Sequence, residues 1–369
     1  MITLISAATN ISWIYLIIYL GELGATKMEI TSVTSLSSLL LITSFIWGYL
    51  SDKFGSIYFI RIGEFLIALA LVVIISTSNI LNLILARGII GLGLAMFIPS
   101  MISLMSMLSK RESEKGFLVG MYSASQSLGW ASGLFIGGFL TRYFSTKYTF
   151  YFALFLTFLS LTLSLFIKKP ISMMERKTSY TFNREIFSKS LIFLFLASFL
   201  RDGGILGAYS LLPIYLKNLK ASEDIIGSIL GTNTIFQIPF MLVIGCLLRK
   251  FEKEDFILII GILGTSFTIL SYSIINDIRY FYPVQVLLAF SFSSYYVSSR
   301  TIATKIAKEY SATILGILTL CRYLGGTLMP ILAGIMWSFL DFRNVFIVLS
   351  IITFWGFISS IIFIKIRPK

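Results

Sequence analysis

The chain has 369 residues, 57% of them hydrophobic and 13% charged, with a mean hydropathy of +0.90. Soluble globular chains carry about 25% charged residues, so an ordinary soluble enzyme is excluded, and with it disorder and a secreted disulfide scaffold. The net charge of +13 sits in short basic bursts between apolar runs, which suits a membrane face rather than a nucleic acid. An all-α integral membrane protein is expected.

A spanning helix needs about 20 mainly apolar residues. In chain order the candidates fall at roughly 2–21, 29–50, 56–77, 79–108, 116–140, 148–167, 190–216, 224–248, 255–275, 280–305, 312–338 and 343–365. That makes twelve, joined by short connectors. One longer segment carries Lys168, Lys169, Arg176, Lys177, Arg184 and Lys189. It divides the chain into an N-terminal six-helix bundle over 1–167, a cytoplasmic linker over 168–189 and a C-terminal bundle over 190–369. With the N-terminus inside, the cytoplasmic segments hold nineteen Lys and Arg against seven outside, which places both termini in the cytoplasm of a cell-membrane protein.

The halves repeat at an offset of about 196 residues. Tyr19-Leu20 lies over Tyr215-Leu216, Gly48 over Gly245, Lys53-Phe54 over Lys250-Phe251, and Gly120, Gly129 and Gly138 over Gly316, Gly325 and Gly334. Six helices per repeat preserve orientation, so the repeats are parallel, about an axis along the membrane normal. The same register sets Met1 opposite Ala197, which leaves the first helix short of its opening turns and suggests a start codon upstream. No Lys or Arg precedes Lys27, so the first run lacks the basic region of a signal peptide and is expected to stay as a membrane helix.

Catalytic chemistry has little to work with. There is no histidine, Cys246 and Cys321 lie in apolar runs without metal-ligand spacing, and no phosphate-binding Gly-x-x-x-x-Gly-Lys-Ser/Thr run occurs. No metal, cofactor or enzymatic activity is expected.

Between the second and third helices stands Gly48-Tyr49-Leu50-Ser51-Asp52-Lys53-Phe54-Gly55-Ser56. This resembles motif A of the major facilitator superfamily, with Gly48, Asp52, Lys53, Gly55 and the downstream Arg61 as its elements. The basic pair usual after the second glycine is replaced by Ser56 and Ile57. Arg87-Gly88-Ile89-Ile90-Gly91-Leu92-Gly93 resembles the family's Arg-x-x-x-Gly-x-Gly pattern. Gly129, Gly133, Gly137 and Gly138 are similar to its antiporter motif, with Leu134 where proline is expected; the repeat mate holds Gly325, Pro330 and Gly334.

The resemblance covers essentially the whole chain. It implies alternating access, a latch at Asp52 that holds the outward-open state, and a cavity lined by the first, fourth, seventh and tenth helices. The candidate substrate and coupling residues are then Asn10, Arg87, Arg201, Asp202, Asn233, Gln237, Gln285, Tyr295, Tyr296 and Arg322. Asp202 is expected to be the coupling carboxylate, with Arg322 or Arg201 as its partner; Glu64 could pair with Arg61, and Arg300 could snorkel to the membrane surface.

The expected function is proton-coupled export of drug-like or metabolite molecules. Uptake of an organic anion is the alternative, and a transporter-like sensor without flux is a third reading from another class. The expected partners are a small-molecule substrate, a proton and the lipid bilayer, with the chain acting as a monomer and without nucleic acid.

Overall fold

The computed structural model describes residues 1–25, 27–109, 111–167, 189–221, 223–306 and 310–367. The basic linker at 168–188 lies outside them. Among the described residues there are thirteen α-helices, one short 3₁₀ turn at Ile278–Tyr280 and no strand. The helices are α1 Ile2–Glu22, α2 Lys27–Leu41, α3 Ser44–Phe54, α4 Ser56–Ser76, α5 Ile80–Met107, α6 Glu112–Tyr143 and α7 Thr146–Leu165, then α8 Lys189–Asn218, α9 Glu223–Phe251, α10 Glu254–Ile274, α11 Phe281–Ile306, α12 Ser311–Trp337 and α13 Phe342–Ile366. Together they form the twelve-span all-α fold that the apolar runs predicted.

Nine helices among the described residues are both long and apolar enough to cross a bilayer. Helices α6 and α11 have the length but too many polar residues to pass on composition alone. For α11 the cause is the run Ser291-Phe292-Ser293-Ser294-Tyr295-Tyr296 followed by Ser298, Ser299 and Arg300.

The second predicted helix, 29–50, is not continuous. Thr43 breaks it: its backbone N–H bonds the Leu40 carbonyl at 3.1 Å, one residue short of the α-helical register. Its hydroxyl donates to the same carbonyl at 2.6 Å and accepts from Trp47 Nε1 at 3.0 Å. A threonine hydroxyl that competes for the helix's own carbonyl bends or interrupts it. Farther on, Gly55 separates α3 from α4 with φ +103, a backbone state that glycine adopts without a Cβ penalty.

Of the described residues, those within Met1–Lys110, Ala124–Thr181 and Ile306–Leu320 form one compact unit, and those within Arg111–Ser123, Phe182–Lys305 and Cys321–Lys369 form another. Each therefore takes in a short piece of the opposite sequence repeat, and the two pieces, 111–123 and 306–320, occupy corresponding repeat positions.

The repeat is physical as well as sequential. In the first unit Tyr19 sets its ring against Phe150 at 5.8 Å and its hydroxyl 3.2 Å from Ser78 Oγ. In the second, its mate Tyr215 meets Phe346 at 5.4 Å and donates to the Ile275 carbonyl at 3.1 Å. Helices α1 and α8 even end alike: Gly24 N–H bonds the Gly21 carbonyl, and Lys220 N–H the Lys217 carbonyl, both with left-handed φ, +78 and +65.

Candidate functional site

In the second unit α8, α11 and α12 bring charged side chains together inside the spanning region, and α10 supplies a polar partner. Arg201 and Asp202 are adjacent on α8, and both are buried. Arg201 Nη1 donates to Asp202 Oδ1 at 2.7 Å, while its Nε and Nη2 both reach Thr265 Oγ1 on α10, at 3.1 and 3.0 Å. The second carboxylate oxygen accepts the Tyr295 hydroxyl at 3.0 Å. Beneath the guanidinium lie the rings of Tyr295, 4.4 Å from Cζ, and Phe292, at 5.2 Å. An ion pair out of water needs its remaining valences satisfied to avoid a large desolvation cost, and Thr265 and Tyr295 do this here.

A second cationic group adjoins the first. Arg322 on α12 lies 5.5 Å from both the Phe292 and Tyr296 ring centres. Arg300 Cζ is 3.2 Å from the centre of the Tyr296 ring. Phe292 and Tyr296, one helical turn apart, stack at 5.2 Å with 19° between their planes. Arg300 is only 7% exposed, so it does not snorkel out as a residue six positions from the helix end could. Its Nη1 donates to its own helix at the Tyr296 carbonyl, 3.3 Å away. Tyr122 of α6 is close enough to Arg300, Tyr296 and Tyr323 to interact with all three. Arg322 is within electrostatic reach of Asp202, but the hydrogen-bonded partner of that carboxylate is Arg201. Cation–π contact of this kind is worth more once water is excluded.

Three of the expected amide sites form one internal network. Gln237 Nε2 donates to Asn233 Oδ1 at 2.5 Å, Asn233 Nδ2 to the Gln285 carbonyl at 3.3 Å, and the Gln285 side chain bridges Tyr209 and Tyr272 at 2.7 and 3.1 Å. Such bonds hold helices together, so in this arrangement Asn233, Gln237 and Gln285 join α9, α11, α10 and α8.

In the first unit Arg87 is buried on α5 and turns to α1, donating to Ser12 Oγ at 3.0 Å and the Thr9 carbonyl at 3.5 Å. Asn10 on the same helix is buried, with an Oδ1 that has no hydrogen-bond partner among the described residues. Glu64 is fully buried and accepts Ser160 Oγ at 2.6 Å. The expected Arg61–Glu64 pair does not form. Arg61 instead caps the end of α7, donating to the carbonyls of Ser164, Leu165 and Ile167 at 3.0–3.4 Å. Four spent backbone acceptors end every helix, and a guanidinium answers several at once.

Asp52 is the centre of a backbone grip. Its Oδ1 accepts Ala312 N–H at 3.1 Å, and its Oδ2 accepts both Thr313 N–H and Thr313 Oγ1 at 2.7 Å. Close approach makes this reachable: a Cβ on Gly48 would strike the Ala312 carbonyl, and one on Gly316 the Ser44 carbonyl. Neither Lys53 nor Arg61 takes part. The Lys53 ammonium lies over the Phe54 ring at 5.3 Å, and Arg61 is engaged with α7. The repeat-related crossing of α6 over α9 is equally tight, at Gly120 against Gly245.

The glycine motif is half packed. Gly129 and Gly133 lie against the α1 backbone at Thr3 and Ala7, and Gly137 and Gly138 against Tyr15. The Tyr15 hydroxyl donates to the Leu134 carbonyl at 2.8 Å. In α12, which contains Pro330, Gly325 packs on Phe199 and Gly203 of α8, but a Cβ on Gly334 would meet no other part of the protein within 4 Å. Gly334 is therefore not a packing residue. Sequence reasoning passed over Thr265, Phe292, Tyr122 and Thr313, because a threonine, an aromatic or a backbone amide in an apolar run carries no signal until its neighbour is known.

A paired set of helix repeats, with arginines and carboxylates buried inside spanning helices, is the architecture of a multi-pass membrane transporter. The chain belongs to the Major Facilitator Superfamily, whose family model matches residues 1–218 and again 194–369. It is 27% identical over 263 residues to an uncharacterized MFS-type transporter of Methanocaldococcus jannaschii, covering 68% of this chain and 66% of that one, so it spans just under two thirds of that relative's length. An uncharacterized transporter of Buchnera aphidicola subsp. Baizongia pistaciae is 22% identical over 86% of this chain and 82% of its own. Among solved structures, the human organic anion transporter MFSD10 superposes with a TM-score of 0.80 at 12% identity, covering 97% of this chain and 98% of that one. The likeness is one of fold. The relatives are described as transporters.

Proposed function

We propose that the chain is a secondary active transporter that takes up a small organic anion together with a proton, by alternating access. The charge balance of α8, α11 and α12 supports this reading. Asp202 is the only acidic residue in those three helices, against Arg201, Arg300 and Arg322 well inside them. An intramembrane charge costs about 2.5–3.5 kcal/mol on insertion scales. Three arginines held against one carboxylate amount to a standing demand for negative charge.

The sign of the coupling follows from the same balance. Protonating Asp202 adds one positive charge to a cluster already positive, so the proton and an anion each favour the other's binding. Ligands that help each other travel together, whereas proton-driven export needs them to compete. Uptake is therefore preferred to the export that the glycine spacing of α6 and α12 suggested. When the proton leaves, Arg201 and Tyr295 reclaim the two oxygens of Asp202. The Asp52 grip on the start of α12 is the contact whose making and breaking would accompany alternation.

The excess of Lys and Arg on one side favours a cell-membrane protein with both termini in the cytoplasm, working as a monomer. Uptake of radiolabelled organic anions by proteoliposomes, with and without an inward proton gradient, tests the proposal. Accumulation only when the outside is acid is the expected result. Flux of cations or neutral solutes alone, or anion flux indifferent to the gradient, would sink it.

A further inference from the structure

We infer that the cargo carries two negative charges within one small molecule, one engaged by Arg300 and one by Arg322, above the Tyr296 ring. The inference rests on the organic-anion reading given above and narrows it. Both guanidiniums face the same ring, Arg300 at 3.2 Å and Arg322 at 5.5 Å from its centre. Laid end to end, those distances allow no more than about 9 Å between the two charges. Like charges this close repel, and water is largely excluded from Arg300, at 7% exposure.

Among the described residues no carboxylate hydrogen-bonds either guanidinium, and Asp202, within electrostatic reach of Arg322, already has both oxygens occupied, by Arg201 and Tyr295. A guanidinium has five N–H donors. Arg300 spends one on the Tyr296 carbonyl, and Arg322 makes no hydrogen bond to the protein among the described residues. The donors of two planar forks are thus left for an acceptor from outside, and carboxylate or phosphate oxygens match that fork two at a time.

Charge counting sets the valence of the ligand. With Asp202 ionised, Arg201, Arg300, Arg322 and Asp202 sum to two positive charges, and with it protonated to three. A monoanion leaves one or two of the cations without a counter-charge, which is costly away from water; a dianion leaves none or one. The platform under the pair is held in place, because Phe292 stacks on Tyr296 and Tyr122 stands within reach of both Tyr296 and Arg300. Dicarboxylates with short chains and phosphate monoesters share the required chemistry.

The test is thermal stabilisation of the purified full chain by three- to six-carbon dicarboxylates, by their monomethyl esters and by glycerol phosphate. At least one dianion is expected to stabilise the protein with an affinity ten times or more that of its one-charge analogue; stabilisation by glycerol phosphate alone would identify a phosphate ester, and by a diacid a dicarboxylate. Arg300→Gln and Arg322→Gln should each erase the preference, leaving the monoester affinity within about threefold of wild type, while Arg322→Lys should retain part of it. If the glutamine variants fail to fold, the diacid-to-monoester ratio on the wild-type protein decides alone. Monoesters that bind as tightly as diacids overturn the two-charge inference and leave the anion reading standing. Stabilisation by neutral or cationic solutes with none by any anion overturns both.

Discussion

Asp52 and Thr313, 261 positions apart, share two hydrogen bonds: the carboxylate oxygen Oδ2 accepts the backbone N–H and the hydroxyl of Thr313, each at 2.7 Å. The first turn of α12 exposes N–H groups with no intrahelical partner, and a negative charge there is favoured by the helix dipole. The repeat mate of Asp52 is Arg249, which lies over the Phe117 ring at 5.4 Å. A cation cannot cap a helix N-terminus, so the two repeats use this position differently.

Removing the cap should loosen that junction. Asp52→Ala is expected to destabilise the protein by about 1–2 kcal/mol. Asp52→Asn should cost less, because the amide oxygen still accepts one N–H. Turnover is expected to fall with substrate affinity changed less. Thermal denaturation and proteoliposome uptake on both variants check the order; an unchanged melting temperature and wild-type turnover in Asp52→Ala would remove the grip.

The glycines of α12 should separate into two kinds. Gly325→Ala pushes a methyl group into the Phe199 carbonyl and Gly203 of α8 and is expected to destabilise by about 1–3 kcal/mol. Gly334→Ala meets nothing within 4 Å and should stabilise the helix by about 0.5–1 kcal/mol. Denaturation of the two variants side by side is the measurement, and a reversed order would contradict the α8–α12 packing.

Lys220 offers a stability gain outside the membrane. It is exposed, with φ +65 at the end of α8, where its repeat mate is Gly24. A side chain in the left-handed region costs about 1–2 kcal/mol, and glycine is the residue most often found there. Lys220→Gly is expected to raise the unfolding free energy by about 1 kcal/mol, read from the midpoint of denaturation, with transport unchanged.

Asp202→Asn tests coupling apart from stability. The amide keeps an acceptor for Tyr295 and Arg201 but cannot take up and release a proton. Accumulation driven by a pH gradient should be lost, while exchange of substrate across the bilayer at equal pH survives. If a well-folded variant still accumulates substrate when driven by a proton gradient, Asp202 is a static partner of Arg201.

The span count, the repeat and the Gly48–Gly55 turn are legible in the sequence, because bilayer thickness sets helix length and close backbone approach demands glycine at fixed spacing. The excess of arginine over acid in α8, α11 and α12 is equally a property of the residue string. The break at Thr43 is not: it depends on which carbonyl a hydroxyl chooses, and periodicity is blind to that choice. Nor could the string say which guanidinium holds Asp202. Arg201, Arg300 and Arg322 are alike in type and all lie inside helices. Only the placement of Thr265, 64 positions from Arg201, of Tyr295, 93 from Asp202, and of Arg322 against the Tyr296 ring decides that Arg201 is neutralised while the other two share a ring. The reason is that charge pairing acts over a few ångströms and residues on different helices reach that range through tertiary packing alone.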